Sequence, residues 1–493
     1  MKIENSSPAR LVVVSNRGPY YLRMTKQGLK REKTVGGLVT SILPMLEKRG
    51  GGVWIAWGER AGRYPGAAGP SPFDLRYISL TEEQLQGYYL GVANNALWPL
   101  CHSFLGRVHY DDTEWETYRQ VNAQFAEAVL EEAHDGEIVW VHDYHLALVP
   151  HLVRQARPES RLLFFWHIPF PPVELFRTLP WRREILEGLL ASDIVGFHIP
   201  EYADNFVEAA VEILGAEARG DQLVYDGRNT QVLARPIGID YEAVSRTSRA
   251  RVIEERARRI RQNLNGQQII LGVERMDYTK GIFERLEAME RLLERRPELY
   301  GRVTLIQIVT PSRNNIEAYR QKKRETDEIV GRINGRFSDG FWMPIRYLYR
   351  SFTPAELMAY YRAADIALVT PLRDGLNLVA KEYIACRPEA DGVLILSEFA
   401  GVSQQLPEAL LVNPYDRQDM VEALGRALAM EKPEQRERML LMQKRIKEQD
   451  ISWWADEFLS RVDDLAAAKP IHRYSLGERD MKPVQPMPLV GIG

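Results

Sequence analysis

Short apolar runs recur along the sequence in two series, separated by longer segments of helical composition. The first series lies at residues 11–14, 53–57, 138–141, 162–166 and 194–199, and the second at 269–273, 303–309, 366–369, 393–396 and 410–412. The runs are rich in β-branched and aromatic residues, which is typical of strands. Strands that alternate with helices predict a parallel sheet covered by helices on both faces. We therefore predict an α/β architecture that the chain builds twice.

The length of the chain also favours two domains. At 493 residues it exceeds what one hydrophobic core usually supports. The Pro- and Gly-punctuated segment 235–240 separates the two series, so we predict an amino-terminal domain over residues 8–240 and a carboxy-terminal domain over 241–452. A helix over 453–467, with Ser452 as its N-cap, is expected to pack back onto the first domain. The Pro-rich tail, 469–493, is expected to be loosely ordered.

Composition argues against several classes of protein. A formal net charge of -3 gives no general attraction to nucleic acid or to anionic membranes. Cys101 and Cys386 are too few for a disulfide scaffold or a thiolate zinc cluster, and they are typical of a reducing compartment. No apolar stretch approaches the length of a membrane span. We therefore predict a cytoplasmic protein with small-molecule partners and neither nucleic acid nor membrane, while homo-oligomerisation stays open.

Polar residues follow the apolar runs where strands are predicted to end. In open parallel sheets, ligands bind beyond the carboxyl ends of the strands. Such residues occur at 15–18 (SNRG), 142–145 (HDYH), 167–171 (HIPFP), 274–281 (ERMDYTKG), 311–313 (PSR) and 373–377 (RDGLN). Taken singly, each has an ordinary explanation as a surface ion pair or a core histidine. Six together, with arginines and a lysine among them, predict an anion-binding cleft between two sheet edges.

The segment 374–382 (DGLNLVAKE) is the most informative of these stretches. Gly375 permits a tight turn, and residues 376–386 have the pattern of a helix whose N-terminal amides can hold phosphate. Glu382 lies one turn beyond Leu378, where its carboxylate can accept hydrogen bonds from the vicinal hydroxyls of a ribose. An ordinary ion pair on the helix face is the alternative interpretation of Glu382.

Competing nucleotide and metal motifs are absent from the sequence. It contains no Gly-Lys dipeptide, which removes the Walker A loop, and no G-x-G-x-x-G follows the first apolar run. His142 and His145 leave a predicted strand rather than lie on a helix, and no third ligand accompanies them as a motif. A catalytic metal is therefore not expected.

In their order and spacing, these residues resemble the trehalose-6-phosphate synthases, retaining glycosyltransferases of the GT-B fold, from about Arg10 to about Leu465. The motifs that carry the resemblance are residues 15–17, 36–38 (GGL), 54–58 (WIAWG), 97–99 (LWP), 142–145, 167–171, 274–281, 311–313 and 374–382. The resemblance implies two doubly wound Rossmann-like domains that face a central cleft. It also implies transfer of glucose from UDP-glucose, or another nucleoside diphosphate glucose, to glucose 6-phosphate, with no metal or cofactor.

The resemblance also implies roles for individual residues. The implied acceptor-binding residues are Arg17, Trp57, Tyr89, Trp98, Asp143 and Arg313. The implied donor-binding residues are Gly36, Gly37, Arg275, Lys280, Asp374, Gly375, Asn377, Leu378, Val379 and Glu382. The implied catalytic residues are Arg275, Lys280, Asp143, His167 and Asp374. Arg275 and Lys280 are expected to neutralise the diphosphate as the glycosidic bond breaks. No protein nucleophile is expected, since in this family the leaving phosphate is held to accept the proton of the incoming hydroxyl.

The identity of the acceptor has two interpretations. Residues 101–104, 179–182 and 196–200 are similar to the glucosylglycerol-phosphate synthases, which use glycerol 3-phosphate. Residues 15–17 and 36–38, together with Arg313, match the glucose 6-phosphate set and favour trehalose 6-phosphate as the product. The segment 18–33 is unlike the short loop of many bacterial members, and we expect it to form a loop that covers the acceptor pocket.

Two further points stay open from the sequence. The donor nucleotide can be UDP, ADP or GDP. A catalytically silent sugar-phosphate sensor with the same fold is the alternative to an enzyme, and the intact Arg275, Lys280, Asp374 and Glu382 argue against it.

Overall fold

The computed structural model describes residues 10–25, 28–34, 37–48, 51–64, 73–312 and 317–467. Its amino-terminal half contains strands β1 (Leu11–Arg17), β2 (Tyr20–Thr25), β3 (Gly28–Lys33), β4 (Gly52–Trp57), β5 (Gly62–Tyr64), β6 (Phe73–Ile78), β7 (Ile138–His142), β8 (Arg161–Phe165), β9 (Ile194–Phe197), β10 (Glu217–Arg219), β11 (Gln222–Tyr225) and β12 (Arg228–Ala234). The helices of this half are α1 (Gly37–Lys48), α2 (Glu82–Gln84), α3 (Trp98–Cys101), α4 (Asp112–Glu132), α5 (Val149–Ala156), α6 (Val173–Phe176), α7 (Arg182–Leu190) and α8 (Pro200–Ala209). Leu85–Leu97 and Ala210–Leu214 are π-helical, and Leu105–Arg107 and Tyr144–Leu146 are 3-10 turns.

One sheet organises this half. Over the described residues its strands run in the order β10-β11-β12-β9-β8-β7-β1-β4-β6-β5, and the pairs from β12 to β6 are parallel. Successive residues of β1 enter different cores: Leu11 and Val13 pack on one face, while Val12 and Val14 pack on the other. Such a strand is buried on both faces, which is why it has an unbroken apolar sequence.

The carboxy-terminal half repeats the architecture with its own elements. Its strands are β13 (Gln268–Arg275), β14 (Val303–Thr310), β15 (Ile345–Tyr349), β16 (Ile366–Val369), β17 (Val393–Ser397) and β18 (Leu410–Val412). Its helices are α9 (Tyr241–Ser248), α10 (Arg251–Gln262), α11 (Ile282–Arg295), α12 (Glu317–Phe337), α13 (Pro354–Ala363), α14 (Leu378–Ala385), α15 (Arg417–Ala429), α16 (Lys432–Glu448) and α17 (Ile451–Ala467), with 3-10 turns at Tyr278–Lys280, Pro297–Leu299 and Gly401–Gln405. The strands pair in parallel in the order β15-β14-β13-β16-β17-β18. The predicted α/β class, built twice, is confirmed.

The two halves touch at the carboxyl ends of their central strands. The Tyr202 hydroxyl, from α8, donates to the backbone carbonyl of Asp374, which follows β16, at 3.3 Å. Phe104 meets Tyr278, which follows β13, edge to face with ring centroids 5.3 Å apart. Gly375, after β16, also lies against the backbone of His167, after β8, so residues that follow strands of one sheet face residues that follow strands of the other.

The last helix returns to the first half. Trp454 of α17 stacks on Trp140 of β7 at 4.7 Å between ring centroids, and Phe458 packs on Phe165 of β8 at 5.4 Å. The predicted N-cap is wrong: Asp450, not Ser452, accepts a hydrogen bond from the Trp453 amide, at 2.9 Å. The division of domains at residue 240 stays a prediction, and the tail at 469–493 lies outside the described residues.

The segment 18–33, predicted as a loop, instead contains the antiparallel hairpin of β2 and β3. Its alternating polar residues conceal the strands, because a small hairpin needs no continuous apolar run. Across the described part of the chain, no helix is both long enough and apolar enough to cross a membrane.

Candidate active site

Lys280 and Asp374 form the central ion pair of the cleft. The Lys280 Nζ lies 2.6 Å from Asp374 Oδ2, and both side chains are largely buried. Asn377 Nδ2 donates to the same Asp374 oxygen at 3.1 Å. Burial opposes ionisation of Asp374, but the Lys280 ammonium outweighs it and holds the pKa of the carboxyl below its ordinary value. Asp374 is therefore an oriented carboxylate.

A tight turn after β13 places Lys280. Asp277 accepts from the Thr279 amide at 3.0 Å and begins the turn. Gly281 ends it in the left-handed region, with φ 62°, and a Cβ there would lie 2.2 Å from the Thr370 carbonyl oxygen. Glycine is needed at this position for both reasons.

A buried arginine that the sequence analysis missed supports the same turn. Arg285 of α11 is fully buried, and its Nη2 donates to Glu274 Oε1 at 2.7 Å and to the Lys280 carbonyl at 3.4 Å. Gln307 and Thr370 accept from its other nitrogens at 3.0 and 3.2 Å. The available signal was an arginine on the apolar face of α11, where an unpaired charge is rarely tolerated.

The loop before α14 has a different geometry from the predicted one. Asn377, with φ 85°, has the left-handed backbone and caps the helix by accepting from the Ala380 amide at 3.3 Å. The structure does not place Gly375 in the left-handed region, and a Cβ on it would lie 2.4 Å from the His167 carbonyl oxygen. Gly375 lies in a bend of the chain and also allows close approach of the two halves. The helix begins at Leu378, so the amides of Leu378 and Val379 are in its first turn.

Glu382 lies on α14 behind this loop. The hydroxyl of Tyr361 donates to Glu382 Oε2 at 3.0 Å, so the partner is a neutral phenol rather than the cation of a helix-face ion pair. Burial raises the pKa of Glu382 to about 6. The carboxylate is consequently ionised at neutral pH but easily protonated in mild acid.

Arg17 is framed by aromatic rings at the end of β1. Its guanidinium carbon lies 5.3 Å from the Trp57 ring centroid and 5.4 Å from that of Tyr89. Trp57 ends β4 directly beside Arg17, and Tyr89 belongs to the π-helical segment, a geometry often found at functional sites. Among the described residues the buried Trp57 Nε1 has no hydrogen-bond partner, which leaves a donor beside the cation.

Asp143 and His167 follow the two neighbouring strands β7 and β8. Asp143 has φ 76° and ψ 159°, a strained backbone of the kind that clusters at functional sites. Its Oδ1 accepts from the Tyr144 amide at 3.0 Å and from the His167 amide at 3.3 Å. Burial lowers the pKa of His167 to about 3, and its Nε2 lies 3.2 Å from Nδ1 of His142. His167 is therefore neutral.

The two sides of the cleft meet at Arg275. Its guanidinium carbon lies 5.6 Å from the ring centroid of Trp98, which belongs to the other half. Gly37 begins α1, while Gly36 and Arg313 lie outside the described residues. In the described ranges no group of three or more His, Cys, Asp or Glu side chains is arranged to hold a metal ion. The expected independence from metal and cofactor stays a prediction.

Comparison with known proteins covers both halves and the cleft. Residues 9–464 match the model of glycosyltransferase family 20. A trehalose-6-phosphate synthase of Mycobacterium sp. (strain KMS) is 41% identical over 481 residues, covering 94% of this chain and 98% of that protein. A bifunctional trehalose-6-phosphate synthase/phosphatase of Thermoproteus tenax is 42% identical over 479 residues, which cover 93% of this chain but only 64% of that protein.

A solved structure gives the same correspondence in three dimensions. The crystal structure of an α,α-trehalose-phosphate synthase (UDP-forming) from Burkholderia xenovorans in complex with glucose-6-phosphate has a TM-score of 0.84 and 33% sequence identity. The match covers 92% of this chain and 100% of that one. It therefore extends over the whole cleft rather than over one sheet.

Proposed function

Since the chain belongs to glycosyltransferase family 20, we propose that it transfers glucose from UDP-glucose to glucose 6-phosphate and forms α,α-trehalose 6-phosphate. The protein is a glycosyltransferase of the trehalose-phosphate synthase type. The Burkholderia protein is UDP-forming and its structure is a complex with glucose-6-phosphate, which supports this donor nucleotide and this acceptor. We further propose that the anomeric configuration of glucose is retained, as the resemblance implies.

The observation that carries the proposal is the placement of two cationic sites on opposite edges of one cleft. Arg17 lies between Trp57 and Tyr89 in the first half. Lys280, paired with Asp374, lies in the second half, and Arg275, at the end of β13, reaches Trp98 of the first. Two anionic substrates can therefore be held with their reacting ends between the sheets.

On the donor side, the proposed chemistry is stabilisation of a leaving diphosphate. Its charge grows as the glycosidic bond breaks, so Arg275, Lys280 and the first-turn amides of α14 bind it more strongly in the transition state than in the ground state. Asp374 uses Oδ2 for Lys280, and Oδ1 is proposed to accept from a hydroxyl of the donor glucose. Glu382 is proposed to accept from the ribose hydroxyls.

On the acceptor side, Arg17, Tyr89, Trp98 and Arg313 are proposed to bind the sugar phosphate, with Trp57 and Asp143 positioning the sugar. His167 is proposed to line the reacting face of the donor, where its neutral imidazole adds no charge. The proton of the incoming hydroxyl passes to the leaving phosphate, so no protein nucleophile is needed. We propose that residues 8–240 bind the acceptor and 241–452 bind the donor.

Product analysis tests the proposal. The purified chain is incubated with UDP-glucose and either glucose 6-phosphate or glycerol 3-phosphate, and UDP release and the product are measured. We expect UDP and an α,α-linked disaccharide phosphate with glucose 6-phosphate. Release of UDP with glycerol 3-phosphate alone would overturn the acceptor, and a β-linked product would overturn retention.

Two further arms of the same assay test the donor and the metal. ADP-glucose and GDP-glucose replace UDP-glucose, and UDP-glucose is expected to give the highest kcat/KM. EDTA is added to a parallel reaction, and the rate is expected to stay unchanged because cationic side chains neutralise the diphosphate. Loss of activity that Mg²⁺ restores would contradict metal independence.

A further inference from the structure

The hairpin of β2 and β3 lies in the segment that was expected to cover the acceptor pocket and follows Arg17 directly, but none of its residues has been assigned a binding role. Its strands pair from Tyr20 opposite Lys33 to Thr25 opposite Gly28. The Tyr21 hydroxyl accepts a hydrogen bond from Nη1 of Arg17 at 2.8 Å, although the residue is 43% exposed. The hairpin thus contacts the arginine that is proposed to bind the acceptor phosphate.

The base of the hairpin is anchored to the sheet by Tyr77 of β6. The Tyr77 side chain is buried, and its hydroxyl donates to the Tyr20 carbonyl at 2.6 Å. A Cβ on Gly18 would lie 2.5 Å from the Tyr77 ring and hydroxyl, so any larger residue here would have to displace the ring. The Thr34 amide donates to the Pro19 carbonyl at 2.8 Å and closes the base. Tyr21 is therefore positioned by the sheet beneath it.

A small cavity opens between the hairpin and the loop after β4. Its lining includes Arg17, Tyr21, Thr34, Trp57, Glu59 and Arg60. Two guanidinium groups against one carboxylate give this lining a net positive charge. The cavity suits an anion, and Arg17 and Tyr21 line it together.

The contact with Arg17 leaves the Tyr21 hydroxyl able to donate a hydrogen bond. The phenol oxygen uses a lone pair to accept from the guanidinium, so its own O–H proton remains a donor. Arg17 Nη1 and the Tyr21 oxygen are only 2.8 Å apart, and two oxygens of one phosphate can accept from both groups.

We propose that Tyr21 is an acceptor-binding residue: its hydroxyl donates to the phosphate that Arg17 binds, and the hairpin contributes to selection of a phosphorylated acceptor. The anion site rests on the contacts of the hairpin, while the identity of the acceptor rests on the proposed function.

Binding of inorganic phosphate tests the site without any turnover. Calorimetric titration is done in saturating UDP, which occupies the donor side. Tyr21→Phe is expected to weaken phosphate binding about tenfold, the order for losing a hydrogen bond to a charged group. The matched control is Tyr225→Phe, which loses a hydrogen bond to Glu187 (3.1 Å) at a remote sheet edge and is expected to bind phosphate as the wild type does. Equal affinity in Tyr21→Phe and wild type would overturn the proposal.

Kinetics separate a binding role from a structural one. In Tyr21→Phe the KM for glucose 6-phosphate is expected to rise about tenfold, while kcat and the KM for UDP-glucose stay within about twofold. An equal rise in both KM values would overturn the proposal, because it would indicate disturbance of the whole cleft. A wild-type protein that makes no disaccharide phosphate, but binds phosphate about tenfold more tightly than Tyr21→Phe does, would refute the proposed function and leave the Tyr21 site supported.

Discussion

Lys280 pairs with Asp374 in the free protein and is proposed to bind the donor diphosphate in the reaction. Its ammonium lies 2.6 Å from Asp374, and the Arg285 guanidinium donates to its backbone carbonyl at 3.4 Å. A cation held in this way needs little reorganisation when the donor diphosphate gains charge. Its value to the enzyme therefore depends on its position as much as on its charge.

Replacement of Lys280 by alanine is expected to lower kcat by about a hundredfold to a thousandfold, because a charge partner of the transition state is lost. Arg275→Ala is expected to have an effect of the same order. Steady-state kinetics with saturating substrates measure it. The control is Arg251→Ala, whose side chain is 92% exposed and pairs with Glu255, and it should retain wild-type kcat. Wild-type turnover in Lys280→Ala would remove this residue from the mechanism.

Glu382 gives the cleft a dependence on pH. Burial raises its pKa to about 6, so the carboxylate is lost as the pH falls from 7 to 5. Affinity for UDP-glucose is expected to weaken roughly tenfold over that range, since protonation removes the acceptor for the ribose hydroxyls. Calorimetric titration with UDP-glucose alone avoids titration of the acceptor phosphate. Glu382→Gln should show a flat profile, and an equal slope in that variant would assign the effect to another group.

The loop that carries Asp374 and the helix α14 that follows it also join the two halves. Gly375 lies against the His167 carbonyl, while Asn377 caps α14 from a left-handed backbone. One short segment therefore sets the ion pair, the helix N-terminus and the approach of the opposite sheet.

Gly375→Ala tests this close approach. The added methyl would lie 2.4 Å from the His167 carbonyl oxygen, and relief requires a backbone shift. We expect destabilisation of about 1–3 kcal/mol, measured as a lower urea midpoint. Gly331→Ala is the matched control in α12, where a Cβ meets nothing within 4 Å, and it should stabilise by about 0.5–1 kcal/mol. Equal midpoints for Gly375→Ala and wild type would show that the halves can separate freely there.

The segment that connects the two halves, at Ile237 and Gly238, is hydrogen-bonded to both of them. The Lys381 ammonium of α14 donates to the Ile237 carbonyl at 2.8 Å, and the Ile237 amide donates to His198 Nδ1 at 3.4 Å. Ser41 donates to the Gly238 carbonyl at 3.0 Å. These contacts link α14, the connecting segment and the first half, so any relative motion of the two halves has to break or rearrange them.

Lys381→Met is expected to change how stability depends on pH. Burial lowers the pKa of Lys381 to about 7, whereas an unfolded lysine titrates near 10.4, so the unfolded chain binds more protons between these values. This lysine therefore makes wild-type stability rise from pH 7 towards 10, and the methionine variant should lack that rise. Urea midpoints at several pH values measure the difference. Lys447 forms an exposed pair with Glu242, so Lys447→Met should show the same dependence of stability on pH as the wild type. If Lys381→Met also shows the same dependence as the wild type, the pKa of Lys381 is not lowered in the folded protein.

Strands that are buried on both faces of a sheet made the fold predictable from the sequence. The ten predicted strands are present because their positions in parallel sheets require unbroken apolar runs, as in β1 and β13. The hairpin of β2 and β3, the strands β5, β6, β10, β11 and β12 of the first sheet and the edge strand β15 escaped prediction, since their sequences mix polar with apolar residues. The α/β class and the family are confirmed, while the domain boundaries and the site roles stay predictions.

The polar residues at the strand ends were found by the same logic, because parallel topology brings carboxyl ends to one edge. Arg17, Lys280 and Asp374 could be named in this way. Some of their partners could not: Arg285 contacts the Lys280 carbonyl and Tyr21 contacts Arg17 through the packing of separate elements, and such contacts leave no local pattern. Periodic burial can be recognised from the spacing of neighbouring residues in the sequence. The ionisation of Glu382, the close approach at Gly375 and the hydrogen bond from Arg17 to Tyr21 arise only when distant segments pack together and exclude water.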